Sequence, residues 1–231
     1  MTGRLAGKIA LGFGRGILET FVKEGALVLG LDLQATDGLV DGYSESQAYQ
    51  IKANVAEEAS WKKAAPSIVV HNAGWSYPNK LSIDVTLEEF NRAFEVYVKS
   101  IFLASKILIP EMKKKRPRLD HPKTRSGPAH YRHGTTPLRL ACPLRPSLWR
   151  WNQLRFNTIC PTSGNTPLLN KFAGIADGPV PAEIIKAKCE AILIGRLVEP
   201  SDVANVALFL AEPASLIISG VEILVDGARC V

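Results

Sequence analysis

The sequence lacks the features that would send it into a membrane, out of the cell or onto a metal. Its four cysteines (Cys142, Cys160, Cys189 and Cys230) form no Cys-x-x-Cys pair. That spacing argues against a zinc site and a disulfide scaffold and suits a reducing cytoplasm. The start, MTGRLAGKIALGFGRG, has no apolar h-region, so no signal peptide is expected. The most apolar helical stretch, residues 101–109, is short and carries Lys106, so no membrane span is expected either. One segment, residues 116–153, lacks Val, Ile, Phe and Met altogether while holding 6 of the 15 prolines and 3 of the 4 histidines.

That segment also explains the charge. It contains 8 of the 28 lysines and arginines and one acid, Asp120, so removing it from a chain of net charge +6 leaves 20 bases against 21 acids. A basic run with Trp149 and Trp151 could serve as a nucleic-acid arm. A disordered loop of solvated charges is the simpler reading, and no nucleic-acid partner is expected. His121, His130, His133 and Cys142 follow no zinc spacing, so no metal is expected.

Elsewhere, strand and helix patterns alternate. Residues 8–11 (KIAL) read as a short buried strand running straight into Gly12-Phe13-Gly14, and residues 17–24 as a helix stopped by Gly25. Residues 26–32 (ALVLGLD) form an apolar run ending in an acid, as in a strand buried on both faces. Further strands are expected over 49–55, 67–71, 154–160 and 220–225, with helices over 57–64, 182–192 and 202–211, the last capped by Ser201. Thr86 and Glu89 form a capping box that opens a long helix to about residue 115, with Leu87, Phe90, Phe94, Val98, Ile101, Ser105 and Leu108 on one face and a kink at Pro110. The order predicts an α/β fold, a Rossmann-like doubly wound parallel sheet in one domain, interrupted by the irregular segment 116–153.

Gly12, Gly14 and Gly16 lie between a strand and a helix, where the helix N-terminus offers amides and a positive dipole end to a pyrophosphate. Asp32 ends the next strand, 20 residues beyond Gly12, where an acid takes the adenosine ribose hydroxyls and repels a 2′-phosphate. The expected cofactor is therefore NAD rather than NADP.

With Asn72-Ala73-Gly74 closing SIVVH, the chain resembles the short-chain dehydrogenase/reductase family over residues 1–115 and 154–231. LAGKIAL, the long helix ending IPEMKKK, RFNTICPTSGNTPLL and GRLVEPSDVANVALFLAE carry the resemblance together with the Asn-Ala-Gly motif. It implies hydride transfer between NAD(H) and a small carbonyl or secondary alcohol. It also implies cofactor contacts from Gly12, Phe13, Gly14 and Asp32, from Asn54-Val55 in place of the family's Asp-Val, from Asn72, Ala73 and Gly74, and from Pro161 and Thr166 beside the nicotinamide carboxamide. Residues 170–181 match its mobile substrate cover, apolar at Leu168, Leu169 and Phe172.

The departures bear on activity. The family's phosphate loop, Thr-Gly-x-x-x-Gly-x-Gly, is cut to Gly12-Phe13-Gly14, and the chain is also short around Pro66 and near Ala214. The family uses a Tyr as general acid/base with a Lys four residues on, because a free phenol near pKa 10 is a poor base at neutral pH. Four residues after Tyr43, Tyr49, Tyr77, Tyr97 and Tyr131 stand Gln47, Ala53, Leu81, Ile101 and Thr135, none of them Lys. Tyr131 alone lies in the right interval, and it reads as a loop tyrosine. Tyr97 replaces the family's helix Asn. Segment 116–153 stands where Ser and Tyr-x-x-x-Lys belong, as an out-of-frame or mis-joined stretch would; translating the coding DNA in the other two frames tests this, and absence of Tyr-x-x-x-Lys from both counts against it. Impaired catalysis, a non-catalytic dinucleotide-binding or oligomer-partner role, or a chain that does not fold all follow from such a loss. The resemblance implies a homo-oligomer formed through two long helices, of which one is present over 94–115.

Overall fold

A computed structural model describes residues 3–12, 14–34, 39–62, 65–114, 154–175 and 178–230. Segment 116–153, with Tyr131 and its histidines, lies outside the described residues, as does Phe13.

Among the described residues, six strands form two parallel sheets. In chain order, β1 (Ile9–Leu11), α1 (Arg15–Lys23), β2 (Leu27–Asp32), β3 (Ala48–Lys52), α2 (Glu58–Trp61) and β4 (Ile68–Val69) lead to a 3-10 turn at Ser82–Asp84. The long helix follows as α3 (Leu87–Phe94), a π turn (Glu95–Lys99) and α4 (Ser100–Lys114). Then come β5 (Thr158–Pro161), α5 (Leu168–Phe172), α6 (Ala182–Glu190), α7 (Pro200–Ala211) and β6 (Glu222–Val225). The first sheet has the order β3-β2-β1-β4 and the second pairs β5 with β6. This is a Rossmann-like α/β fold.

Alternation along the strands builds two cores. Ala10 of β1 and Val28 of β2 face α1 and α7, packing with Leu18, Phe21, Ala204 and Leu208. Leu11 and Leu31 face the opposite way, toward Trp61 of α2 and Leu103, Ala104 and Leu108 of α4. A period of two thus covers both faces with helices. Ile68 of β4 and Ile159 of β5 pack against the first core, so it runs beneath both sheets.

Several expected boundaries shift. Of the strand expected over 67–71, Ile68 and Val69 stand in register with Ala10 and Leu11, and the ladder to the three residues of β1 opens at the Ser67 N–H···O=C Ile9 bond of 2.7 Å and closes at the Val70 N–H···O=C Leu11 bond of 2.9 Å. The strand expected over 154–160 begins at Thr158, where β6 supplies partners. The last helix starts at Pro200 rather than after Ser201; Glu199 precedes it, and Asp202 Oδ2 accepts from the Glu199 N–H at 2.8 Å. Thr86 and Glu89 form the expected capping box, at 3.2 and 2.9 Å.

The long helix departs most. Its expected apolar stripe splits, with Leu108 buried while Leu87, Phe90 and Phe94 stand 73, 58 and 47% exposed. The π turn is the cause: its extra residue per turn shifts the phase, so side chains before Glu95 no longer line up with the core face after Ser100.

Candidate functional site

The carboxyl ends of β1, β2 and β4 meet at the N-terminus of α1. Gly12 closes β1 with its N–H bonded to Leu29 O at 2.9 Å and adopts φ +84°, where a Cβ would sit 2.7 Å from Val70 O. Both facts require glycine. Gly14 is the N-cap of α1, and a Cβ there would lie 2.7 Å from Asn72 Nδ2. The Asn-Ala-Gly segment thus leans into the glycine turn. A Cβ on Gly16 would meet Pro200 Cβ at 2.7 Å, which brings α7 against the first turn of α1. No acid stands in that first turn, so the positive helix end is uncompensated from within.

Asp32 lies on the β2 side, in register with Lys52, and its Oδ1 accepts from Gln34 N–H at 2.8 Å. Beside it, Leu33, Lys52, Asn54 and Glu57 line an open cleft of about 290 Å³. Asn54 also serves the local fold: Oδ1 accepts from Ala56 N–H at 3.0 Å and Nδ2 donates to Glu57 at 3.1 Å. Val55 packs its side chain against the second core, and its carbonyl accepts from Trp61 Nε1 at 2.9 Å.

On the far side, Pro161 ends β5 and Thr166 sits in the loop beyond it. Gly164 bridges to Val198, and Asn165 Nδ2 donates to Glu199 at 3.1 Å, tying this loop to the start of α7 and so to Gly16. Thr166, Leu169, Asn170, Val180 and Ile185 line a second cleft of about 340 Å³. Leu169, expected in the substrate cover, is itself buried with Ile192 and Leu197.

The structure therefore brings Gly12, Gly14, Asn72 and Asp32 to one end of the first sheet and links Thr166 to them through 198–200. Two neighbours escaped the sequence reading, Pro200 against Gly16 and Trp75; Tyr97 is legible as the residue in place of the family's helix Asn, but its partner is not. Trp75 directly follows Asn-Ala-Gly, which was a usable signal. Nothing in the sequence pairs it with Tyr97, 22 residues away.

The family pattern described as "Enoyl-(Acyl carrier protein) reductase" matches residues 9–119 and 148–228. The chain belongs to the short-chain dehydrogenase/reductase family of oxidoreductases. Among curated relatives, it is 28% identical to 4-formylbenzenesulfonate dehydrogenase of Comamonas testosteroni, over 95% of this chain and 94% of that protein. It is 29% identical to 2,5-dichloro-2,5-cyclohexadiene-1,4-diol dehydrogenase LinX of Sphingobium indicum, over 98% of each. Among solved structures, 3-ketoacyl-(acyl-carrier-protein) reductase from Brucella melitensis, complexed with NADH, superposes with a TM-score of 0.76 at 26% identity, covering 98% of this chain and 100% of that one. The Pseudomonas aeruginosa RhlG/NADP complex shares the fold at a TM-score of 0.75 and 22% identity, covering 100% of both chains. No described helix is long and apolar enough to cross a membrane.

Proposed function

We infer that the chain binds a nicotinamide dinucleotide, NAD in preference to NADP, and that its turnover of a small carbonyl or secondary alcohol is weak or absent. The carrying observation is the position of Asp32. It ends β2 next to an open cleft, one strand from the glycine turn that opens α1. A carboxylate there suits ribose hydroxyls and opposes a 2′-phosphate. Gly12 and Gly14 would present α1 to the pyrophosphate, Asn54 would border the adenine, and Asn72, Ala73 and Gly74 would wall the far half with Pro161 and Thr166. The bound group would supply a hydride donor or acceptor. The chain's own residues would bind and orient it.

Weak chemistry follows from the missing pair: no Tyr in the sequence has Lys four residues later. A phenol without a nearby cation keeps its pKa near 10 and transfers protons poorly at neutral pH. The relatives named for a formylbenzenesulfonate and a cyclohexadienediol support a small-molecule substrate class. The scattered cysteines favour the cytoplasm. A second reading, a homo-oligomer, has its own support in the uncovered Phe90 and Phe94 rings, stacked 6.4 Å apart on α3; light scattering after gel filtration tests it.

Thermal-shift titration with NAD and NADP is the direct experiment. Stabilisation by NAD without measurable turnover is expected. Stronger stabilisation by NADP would overturn the role of Asp32, and an Asp32→Ala variant should lose the preference for NAD.

A further inference from the structure

We propose that Tyr97 is a positioning residue for the nicotinamide-side wall of the site, acting through a clasp on Trp75; this rests on the dinucleotide reading above. The strand order places Asp32 of β2 on one side of the glycine turn after β1 and the segment after β4 on the other. A dinucleotide with its adenosine at Asp32 and its pyrophosphate at α1 therefore ends against 72–75.

Tyr97 holds that segment at two points. Its Oη donates to Trp75 O at 2.7 Å and accepts from Trp75 N–H at 3.1 Å, so one hydroxyl pairs both backbone groups of one residue. A Cβ on Gly74 would lie 3.3 Å from the same oxygen, so only glycine leaves the hydroxyl its full room. Arg92 closes the clasp from the same long helix, its guanidinium 4.8 Å from the centre of the Trp75 ring. At about 100° per residue, positions five apart on an α-helix point roughly 140° away from each other. The π turn Glu95–Lys99, which contains Tyr97, narrows that offset and lets both side chains reach one tryptophan. The phenol has a single proton, already given to Trp75 O. It cannot pass that proton to a substrate without releasing the wall, which makes Tyr97 a support rather than an acid.

Tyr97→Phe in the full chain keeps the ring and removes both bonds. Binding of NADH and of ADP-ribose, which lacks the nicotinamide, is measured by calorimetry. NADH is expected to weaken about tenfold and ADP-ribose to stay within about twofold. Arg92→Gln should shift NADH alone by about two- to threefold. Equal weakening of both ligands, as from general destabilisation, overturns the proposal, as does no change in either. Hydrogen exchange at the Trp75 amide without ligand gives a second readout, which must quicken in Tyr97→Phe; an unchanged rate also overturns it. A wild-type chain that binds neither ligand defeats the dinucleotide reading itself, and faster exchange at Trp75 would then leave only the clasp.

Discussion

β2 and β6 read alike as sequence, apolar runs closing on an acid (Asp32 and Asp226), yet they end in different surroundings. β2 has a parallel neighbour on each side and helices on both faces, with Val28 fully buried and Leu31 5% exposed. Among the described residues β6 pairs only with β5, and its Leu224 stands 57% exposed. The difference lies in what surrounds each strand rather than in the strand. In the sequence, the segment whose composition breaks the pattern lies between β4 and β5, and the described strands before and after it fall into two separate sheets. The four-stranded sheet carries the glycine turn and Asp32, while the described two-stranded pair carries Pro161 and leads into Thr166.

The same substitution in both strands tests this most sharply. Leu31→Ala opens a cavity beside Trp61 and Leu108 and should cost about 2–5 kcal/mol. Leu224→Ala removes a side chain more than half in water and should cost much less, within about 1 kcal/mol. Urea midpoints with unchanged slopes give both values. Comparable losses would show that β6 is covered in the working protein and would favour a second copy on that face.

A smaller effect is expected where the two regions meet. Gly16→Ala drives a methyl against Pro200, whose Cβ stands at 2.7 Å and whose backbone carbon and oxygen stand at 3.2 Å. Backbone cannot yield as a flexible side chain would, so α1 and α7 must separate, at about 1–3 kcal/mol. Because α7 also packs against β5, the loss should appear in one cooperative transition. Two separated transitions would show that the regions unfold independently.

Local rules served the sequence well where they were sufficient. The capping box at Thr86, the stop at Gly25 and the acid at the end of β2 were legible because each depends on a few adjacent residues. The glycine turn was legible as a turn. That its glycines make room for Val70 O and Asn72 was not, since both contacts join distant strands. The apolar stripe of the long helix failed because it assumed one period throughout, and a π turn leaves no compositional mark in EVYVK. Lengths of β4 and β5 failed because a strand extends only as far as its partner does. Trp75 and Tyr97 illustrate the same limit at the site: the motif marked the place, and only tertiary structure showed what holds it.

The smallest expected effect concerns the entry to α7, beside that junction. Arg196 makes a bidentate pair with Asp202 at 2.6 and 2.9 Å, while Arg196 also donates to Leu197 O at 2.9 Å, next to the Val198 bridge with Gly164. The Arg196 guanidinium, and after it the Glu199 N–H, hold the Asp202 carboxyl below its ordinary value of 3.8. A carboxyl depressed in the folded chain adds stability that is complete above the unfolded value, fades as pH falls through it, and is gone below the folded value. Wild type should therefore lose stability from about pH 4 downward more steeply than Asp202→Asn, while the two run parallel near neutrality. Exposure of both partners to solvent keeps the difference small and sensitive to salt. Identical acid limbs in urea titrations would mean that this pair adds nothing to the start of α7, leaving the Gly164–Val198 bridge and the Asn165–Glu199 bond to hold the β5 loop there.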